Sequence, residues 1–368
     1  MQGMPEAGIV NTLPAGIQSK EDGFADASVE FTESRKLMII FITAGLLIAG
    51  SLTALLLGAY HLSLGEVIEV LIKRTIGNAG PLDPVHNTIV WEIRFPRVIL
   101  AILVGFALST AGTVYQGAFR NPLVEPFILG VSAGASFGAS LGILFPGIFV
   151  SHRTGALFFA ITAVALVYFV SRVEGRNPIV NLILAGVIVS SLFQAAVSIL
   201  KYISDDTGLR AIIFWILGGF YYANWADIAV ISPVVLFGSL LIWSQSWKLN
   251  VLSMGDDEAR TLGVSPDGLK LILIFLATLV TAVAVASVGI IAWVGLMTPH
   301  AARMVLGPDH RFVIPAAALM GGLYLLICDT LARTLTTTEI PISIITSILG
   351  APFLFYLLRT RGRFAFND

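Results

Sequence analysis

Between Arg94 and Gly142 the chain reads as two apolar halves joined by a polar, charged segment, Gln116-Gly117-Ala118-Phe119-Arg120-Asn121-Pro122-Leu123-Val124-Glu125-Pro126. Each half is long enough to cross a bilayer of roughly 30 Å at about 1.5 Å per residue. Pro122 and Pro126 fix φ and remove two amide donors, so no continuous helix can run through the joint. The second half carries Gly134, Gly138 and Gly142 on one helix face, where a neighbouring helix can approach closely. Ordinary tight packing accounts for that spacing by itself.

Composition extends this reading to the whole chain. Hydrophobic residues make up 56% and charged residues 12%, against about 25% charged in soluble domains. The fold class expected is all-α, a polytopic membrane protein organised as one membrane domain. A net charge of −1 gives no reason to expect nucleic acid. Cys328 is the single cysteine and lies in an apolar span, which excludes an intramolecular disulfide and a thiolate metal cluster.

Residues 1–36 are polar and mixed, with no apolar core before Leu37, so they read as a disordered cytoplasmic tail and not a secretory signal. Ten transmembrane helices are expected within the membrane domain, 37–363. They fall near 37–60, 98–116, 126–144, 155–171, 179–201, 226–246, 269–289, 290–306, 312–332 and 341–358. Pro233 is expected to interrupt the sixth and Pro299 the eighth. Residues 61–95 and 202–225 read as loops. Ten spans put both termini on one side, and most of the 22 basic residues fall there. Both termini are therefore expected in the cytoplasm. The basic residues left outside, Arg94, Arg97 and Arg333 among them, ask for a role.

No HExxH, no nucleophile elbow and no clustered metal ligands occur, so no catalytic or metal site is expected. The stretch Gly263 to Lys270 lacks the Gly-Lys-Ser/Thr ending that would hold phosphate and magnesium. Any energy the chain uses must then come from an ion gradient or from another subunit. An ion-coupled secondary carrier of a small molecule would use carboxylates inside its spans, and Asp329 and His300 are its candidates. Asp329 reads more simply as a helix-end residue paired with Arg333 at i+4, which makes secondary transport the weaker reading.

The polar loop 247–268 favours the other source. Its Asn250–Val264 segment contains a short amphipathic helix between glycines, with Met254, Ala259, Leu262 and Leu252 as the apolar side. Such a helix fits a partner's groove. It could also lie flat on lipid, although its acidic face, Asp256, Asp257 and Glu258, would be repelled by anionic headgroups. In the fifth span Gly186, Ser190, Gln194 and Ser198 recur every four residues. They form a mildly polar stripe for either a pathway or interhelical hydrogen bonds.

The run Gln116-Gly-Ala-Phe-Arg-Asn-Pro-Leu-Val-Glu-Pro-Phe-Ile-Leu-Gly-Val-Ser-Ala-Gly-Ala resembles the signature of the FecCD family of ABC importer permeases. Ile93-Arg94-Phe95-Pro96-Arg97, Gly255 to Val264, Val294 to Arg303 and Glu339 to Pro352 match in order and spacing. The resemblance covers about residues 37–363 and implies the ten-helix type II ABC importer permease fold in the cell inner membrane. It implies a non-enzymatic permease subunit with no cofactor of its own, ATP and Mg being held by partner ATPase subunits. The partners implied are a second permease copy in a homodimer, two cytoplasmic ATPases and a periplasmic or lipid-anchored substrate-binding protein. The cargo implied is a metal chelate, iron-siderophore first, cobalamin or haem next. Residue by residue, Gly255, Glu258, Ala259, Leu262 and Gly263 would couple to the ATPases, while Arg94, Arg97 and Arg333 would dock the binding protein. Ser190, Gln194 and Ser198 would line the translocation path, and Asn177 and Pro178 would sit at its inner gate. Residues 117–122 and 295–299 also suggest distant repeats of opposite orientation.

Overall fold

The computed structural model describes residues 32–77, 82–171 and 178–361, so the 1–36 tail lies almost entirely outside the described residues. Every regular element among them is a helix: α1 (Glu33–Leu56), α2 (Leu64–Ile76), α3 (Pro84–Asn87), α4 (Phe95–Phe119), α5 (Val131–Leu144), α6 (His152–Ser171), α7 (Pro178–Ile203) and α8 (Asp206–Leu217). They continue with α9 (Trp225–Ser244), α10 (Ser246–Met254), α11 (Asp256–Thr261), α12 (Pro266–Val288), α13 (Val294–Leu306), α14 (His310–Thr334) and α15 (Ile342–Arg361). A π-helical stretch, Thr88–Arg94, carries α3 directly into α4.

Among the described residues seven helices are long and apolar enough to cross a membrane: α1, Pro84–Phe119, α6, Val180–Ile203, α9, α12 and α14. The remaining expected spans are shorter: α5, α13 and the apolar stretch Ile342–Tyr356 of α15. The joint explains α5, because residues 120–130 are non-helical and the helix starts only at Val131. Two expected interruptions are absent. α9 runs through Pro233 and α13 through Pro299; neighbouring helices and local adjustments can satisfy the backbone groups a proline frees inside a bundle. The two expected loops are also partly helical. Residues 61–95 hold α2, closed by a Ser63–Glu66 capping box, and α3. Residues 202–225 hold α8, capped by Asp205.

The bundle is built around α4, which is buried almost all round from Pro96 to Phe119. Glycine permits the contacts that do this. A Cβ on Gly105 would fall 2.3 Å from the Gly321 carbonyl oxygen of α14, and one on Gly112 would fall 1.8 Å from that of Gly295 in α13. The expected glycine face of α5 packs against α6: Cβ atoms on Gly134 and Gly138 would lie 2.3 and 2.0 Å from the Phe159 and Gly155 carbonyl oxygens. The outer flanks of α7 and α15 stay open, exposing Leu192, Ile199, Ile348 and Phe355.

Two ends of the bundle are chemically distinct. One, the α10 end, gathers the start of α1, the C-terminus of α4, α10, α11 and the start of α14. The other, the α2 end, gathers the end of α1, α2, the start of α4 and the end of α14.

Candidate functional site

The expected coupling segment is two helices, α10 and α11, meeting at Gly255 (φ 148°, ψ 158°). The break has a local cause. A Cβ at Gly255 would fall 1.9 Å from the Glu258 carboxylate, which folds back over the first turn of α11. The far end of α11 closes with Gly263 at φ 77°, its amide bonded to the Arg260 carbonyl and that of Val264 to the Ala259 carbonyl. Those paired bonds satisfy two of the last helical carbonyls. The structure thus brings together Gly255, Glu258, Ala259, Leu262 and Gly263. It divides their apolar side, however: Ala259 and Leu252 are fully buried, while Met254 and Leu262 are 67% and 53% exposed. Burying Ala259 against the bundle turns the two larger apolar side chains outward.

Charged side chains fix this segment from beneath. Asp256 accepts from Lys270 Nζ of α12 at 2.7 Å and lies 3.4 Å from Arg120, the left-handed C-cap of α4. Asn250 of α10 reaches α14: its Nδ2 donates to Asp309 Oδ1 at 2.7 Å, and its Oδ1 accepts from the His310 amide at 2.8 Å. Partial burial would push the Asp309 carboxyl up, but hydrogen bonds from Arg311 and Asn250 outweigh it and hold it down at about 2. A cavity of about 950 Å³ opens beside this junction, with Gln116, Arg120, Asn250, Arg303 and His310 in its walls. Arg303 of α13 donates to the Gln116 side chain of α4, and Gln116 Nε2 donates to the Leu296 carbonyl at 3.1 Å.

At the α2 end the three arginines of the docking expectation stand together, and each is engaged inside the chain. Arg94 donates to the carbonyls of Leu55 at 2.7 Å and Leu56 at 3.0 Å, and Arg333 to those of Ala54 and Leu57. Both cap the C-terminus of α1, where unpaired carbonyls favour cations. Arg97 is buried and donates through Nε and Nη2 to Asp329 at 2.8–2.9 Å and through Nη1 to Glu339 at 2.9 Å. The expected Asp329–Arg333 pair is present at 3.7 Å, but Arg97 is the closer partner. Of the two carboxylates, only Glu339 is substantially exposed.

The joint and the start of α13 meet inside the bundle. A Cβ on Gly295 would fall 2.4 Å from Pro126 Cγ. Trp293 has φ 75°, an unusual conformation for a bulky residue. In α7 the polar stripe divides by depth. Gly186 packs on the Ile128 carbonyl and Ser190 lies against Gly130, whereas Gln194 and Ser198 are exposed. Asn177 lies outside the described residues; Pro178 opens α7.

Asn250, Asp309 and the Gln116–Arg303 bond were not among the expected site residues. A helix-start signal was present at Pro308-Asp309-His310, since Asp favours the N-cap position, and Gln116 is polar within apolar surroundings. Their partners are remote in sequence and could not be read there.

The FecCD transport family model matches residues 46–360. The molybdate import system permease protein MolB of Haemophilus influenzae is 38% identical over 90% of this chain and 98% of its own length. The haemin transport system permease protein HmuU of Yersinia pestis is 41% identical over 78% of this chain and 88% of its own. The cobalamin import system permease protein BtuC of Halobacterium salinarum is also 41% identical, over 78% of this chain and 79% of its own. A solved chain described as an inward-facing conformation of a metal-chelate type ABC transporter superposes with a TM-score of 0.79 at 38% identity. That match covers 88% of this chain and 99% of that one.

Proposed function

The chain belongs to the FecCD transport family, and from that premise we propose how it works as the permease subunit of an ABC importer for a metal-chelate type substrate. Two copies form the pathway, and two cytoplasmic ATPases dock on α10 and α11. The α10 end faces the cytoplasm and carries both termini. A binding protein delivers an iron-siderophore complex to the α2 end, over Arg94, Arg97 and Arg333; because these guanidiniums are held by α1 carbonyls, Asp329 and Glu339, the accessible charge of the cluster is Glu339. Charge of this kind sets register and encounter rate more than affinity. Gln194 and Ser198 face the pathway, and the segment around Asn177 and Pro178 closes it on the cytoplasmic side.

The observation carrying this reading is the outward display of Met254 and Leu262 on a segment braced from below by Asp256, Lys270 and Arg120. A surface meant to transmit motion needs an apolar contact above and an attachment to the membrane helices below. The experiment is Leu262→Asp in the purified permease–ATPase complex. Leu262 is exposed, so folding is retained; the expected result is loss of ATPase co-purification. Normal co-purification would remove the segment from the docking surface.

An ion-coupled carrier would take up substrate in liposomes containing this chain alone, driven by a gradient. Asp329, its best relay residue, is bonded to Arg97 and lies beside Arg333. A carboxylate held by two cations is a poor proton carrier.

A further inference from the structure

The segment that meets the ATPases must hand its motion to the membrane helices, and one side chain is placed to do so. Asn250, on α10, makes three hydrogen bonds to the first residues of α14. Its Nδ2 donates to Asp309 Oδ1 at 2.7 Å, while its Oδ1 accepts from the His310 amide at 2.8 Å and from His310 Nδ1 at 2.7 Å. The job needs a donor and a two-fold acceptor at separate atoms of one short side chain, which a carboxamide supplies; an ionised carboxylate has no donor, and a Ser or Thr hydroxyl is one atom shorter and has only a single oxygen. His310 Nε2 is buried without a hydrogen-bond partner, so the bond to Asn250 alone orients the ring. That ring lies against α4: a Cβ on Gly117 would fall 2.9 Å from His310 Nε2 and 3.1 Å from Leu249 Cδ1. Three helices, α4, α10 and α14, therefore converge at Gly117, and Leu249 is fully buried there.

What α14 does with a push follows from its length. Its 25 residues reach about 37 Å at about 1.5 Å per residue, ending at the α2 end with Asp329 bonded to Arg97. Between the two ends, Gly105 lets α4 touch the backbone of Gly321 and Gly322. Such contacts leave little room for the helices to slide apart.

We propose that Asn250 is a positioning residue for transport: its three bonds clasp the ATPase-docking segment to α14, which moves with α4 as one unit out to the Arg97–Asp329 cluster. The inference rests on the reading of α10 and α11 as the docking segment.

The test uses the full complex of permease, ATPase and binding protein reconstituted in vesicles, measuring ATP hydrolysed and substrate taken up together. Asn250→Asp keeps the acceptor for His310 but sets a second carboxylate against Asp309, and it should lower uptake per ATP about fivefold or more while the ATPase stays bound. Adding Asp309→Asn reverses the polarity of that bond and should restore most of the ratio, since Asn caps a helix as well as Asp. A merely structural defect would lower the amount of folded complex, and with it uptake and ATP hydrolysis together, without changing their ratio. Unchanged uptake per ATP in Asn250→Asp and Asn250→Ala overturns the clasp, as does failure of the double variant to recover. Loss of the ATPase in Asn250→Ala, with the ATPase retained in Leu262→Asp, instead overturns the docking reading and the clasp with it.

Discussion

The two ends of α14 are held by different chemistry. At the α2 end Arg97, Asp329 and Arg333 are withdrawn from solvent, and the bonds between α4 and α14 are short and bidentate. At the α10 end Asp256 and Arg120 are partly exposed, and the side-chain hydrogen bonds from α10 to α14 all come from one neutral carboxamide, that of Asn250. Buried charge resists change because separating its partners leaves an uncompensated ion. Neutral and half-exposed bonds can be exchanged with water at small cost. The α2 end is therefore a lock and the α10 end a joint that can work repeatedly, which is the order needed if force enters at α10.

The largest effect that could break this contrast comes from Arg97→Glu. Reversal would leave three carboxylates together around one buried position, and removing the partner of a buried ion pair costs about 3–5 kcal/mol. The expected outcome is loss of folded, monodisperse protein in detergent, measured by size exclusion. Folded protein with impaired binding-protein capture would instead make Arg97 a surface charge. A smaller effect is expected midway along α4. Gly112→Ala forces a methyl into the Gly295 carbonyl and should lower stability by about 1–3 kcal/mol, read as a lower melting temperature. A neutral result would mean that α4 and α13 slide freely. The smallest effect on stability belongs to the α10 end: Asp256→Ala removes a partly exposed pair with Lys270 and should cost about 0–1 kcal/mol. If its melting temperature fell as far as that of Gly112→Ala, the α10 end would be as rigid as the core and the contrast would disappear.

Much of the architecture was legible in the chain. The apolar runs placed the helices, and the Pro122–Pro126 joint located the non-helical entry to α5. The glycines every four residues marked the α5–α6 contact. Other parts were hidden for identifiable reasons. Pro233 and Pro299 read as breaks because a proline in an isolated helix is one, whereas inside a bundle α9 and α13 continue through them. Met254, Ala259 and Leu262 read as one apolar side because a helical pattern gives a face without saying which part of it finds the bundle. Arg94, Arg97 and Arg333 read as leftover outward charge, since capping carbonyls and carboxylate partners are invisible without the third dimension.

The order of hydrophobic and polar stretches determined that this chain would be a helical bundle in a membrane, with a break in the helix around Pro122 and Pro126 and a short helical segment between its sixth and seventh expected spans. Those are local consequences of burying apolar side chains and of what proline and glycine do to a backbone. The tertiary structure alone decided that Arg97 meets Asp329 across 232 residues and that Asn250 meets Asp309 across 59. Such pairs depend on which helix faces come within hydrogen-bonding distance once the whole bundle has packed, and no periodicity along the chain encodes that distance.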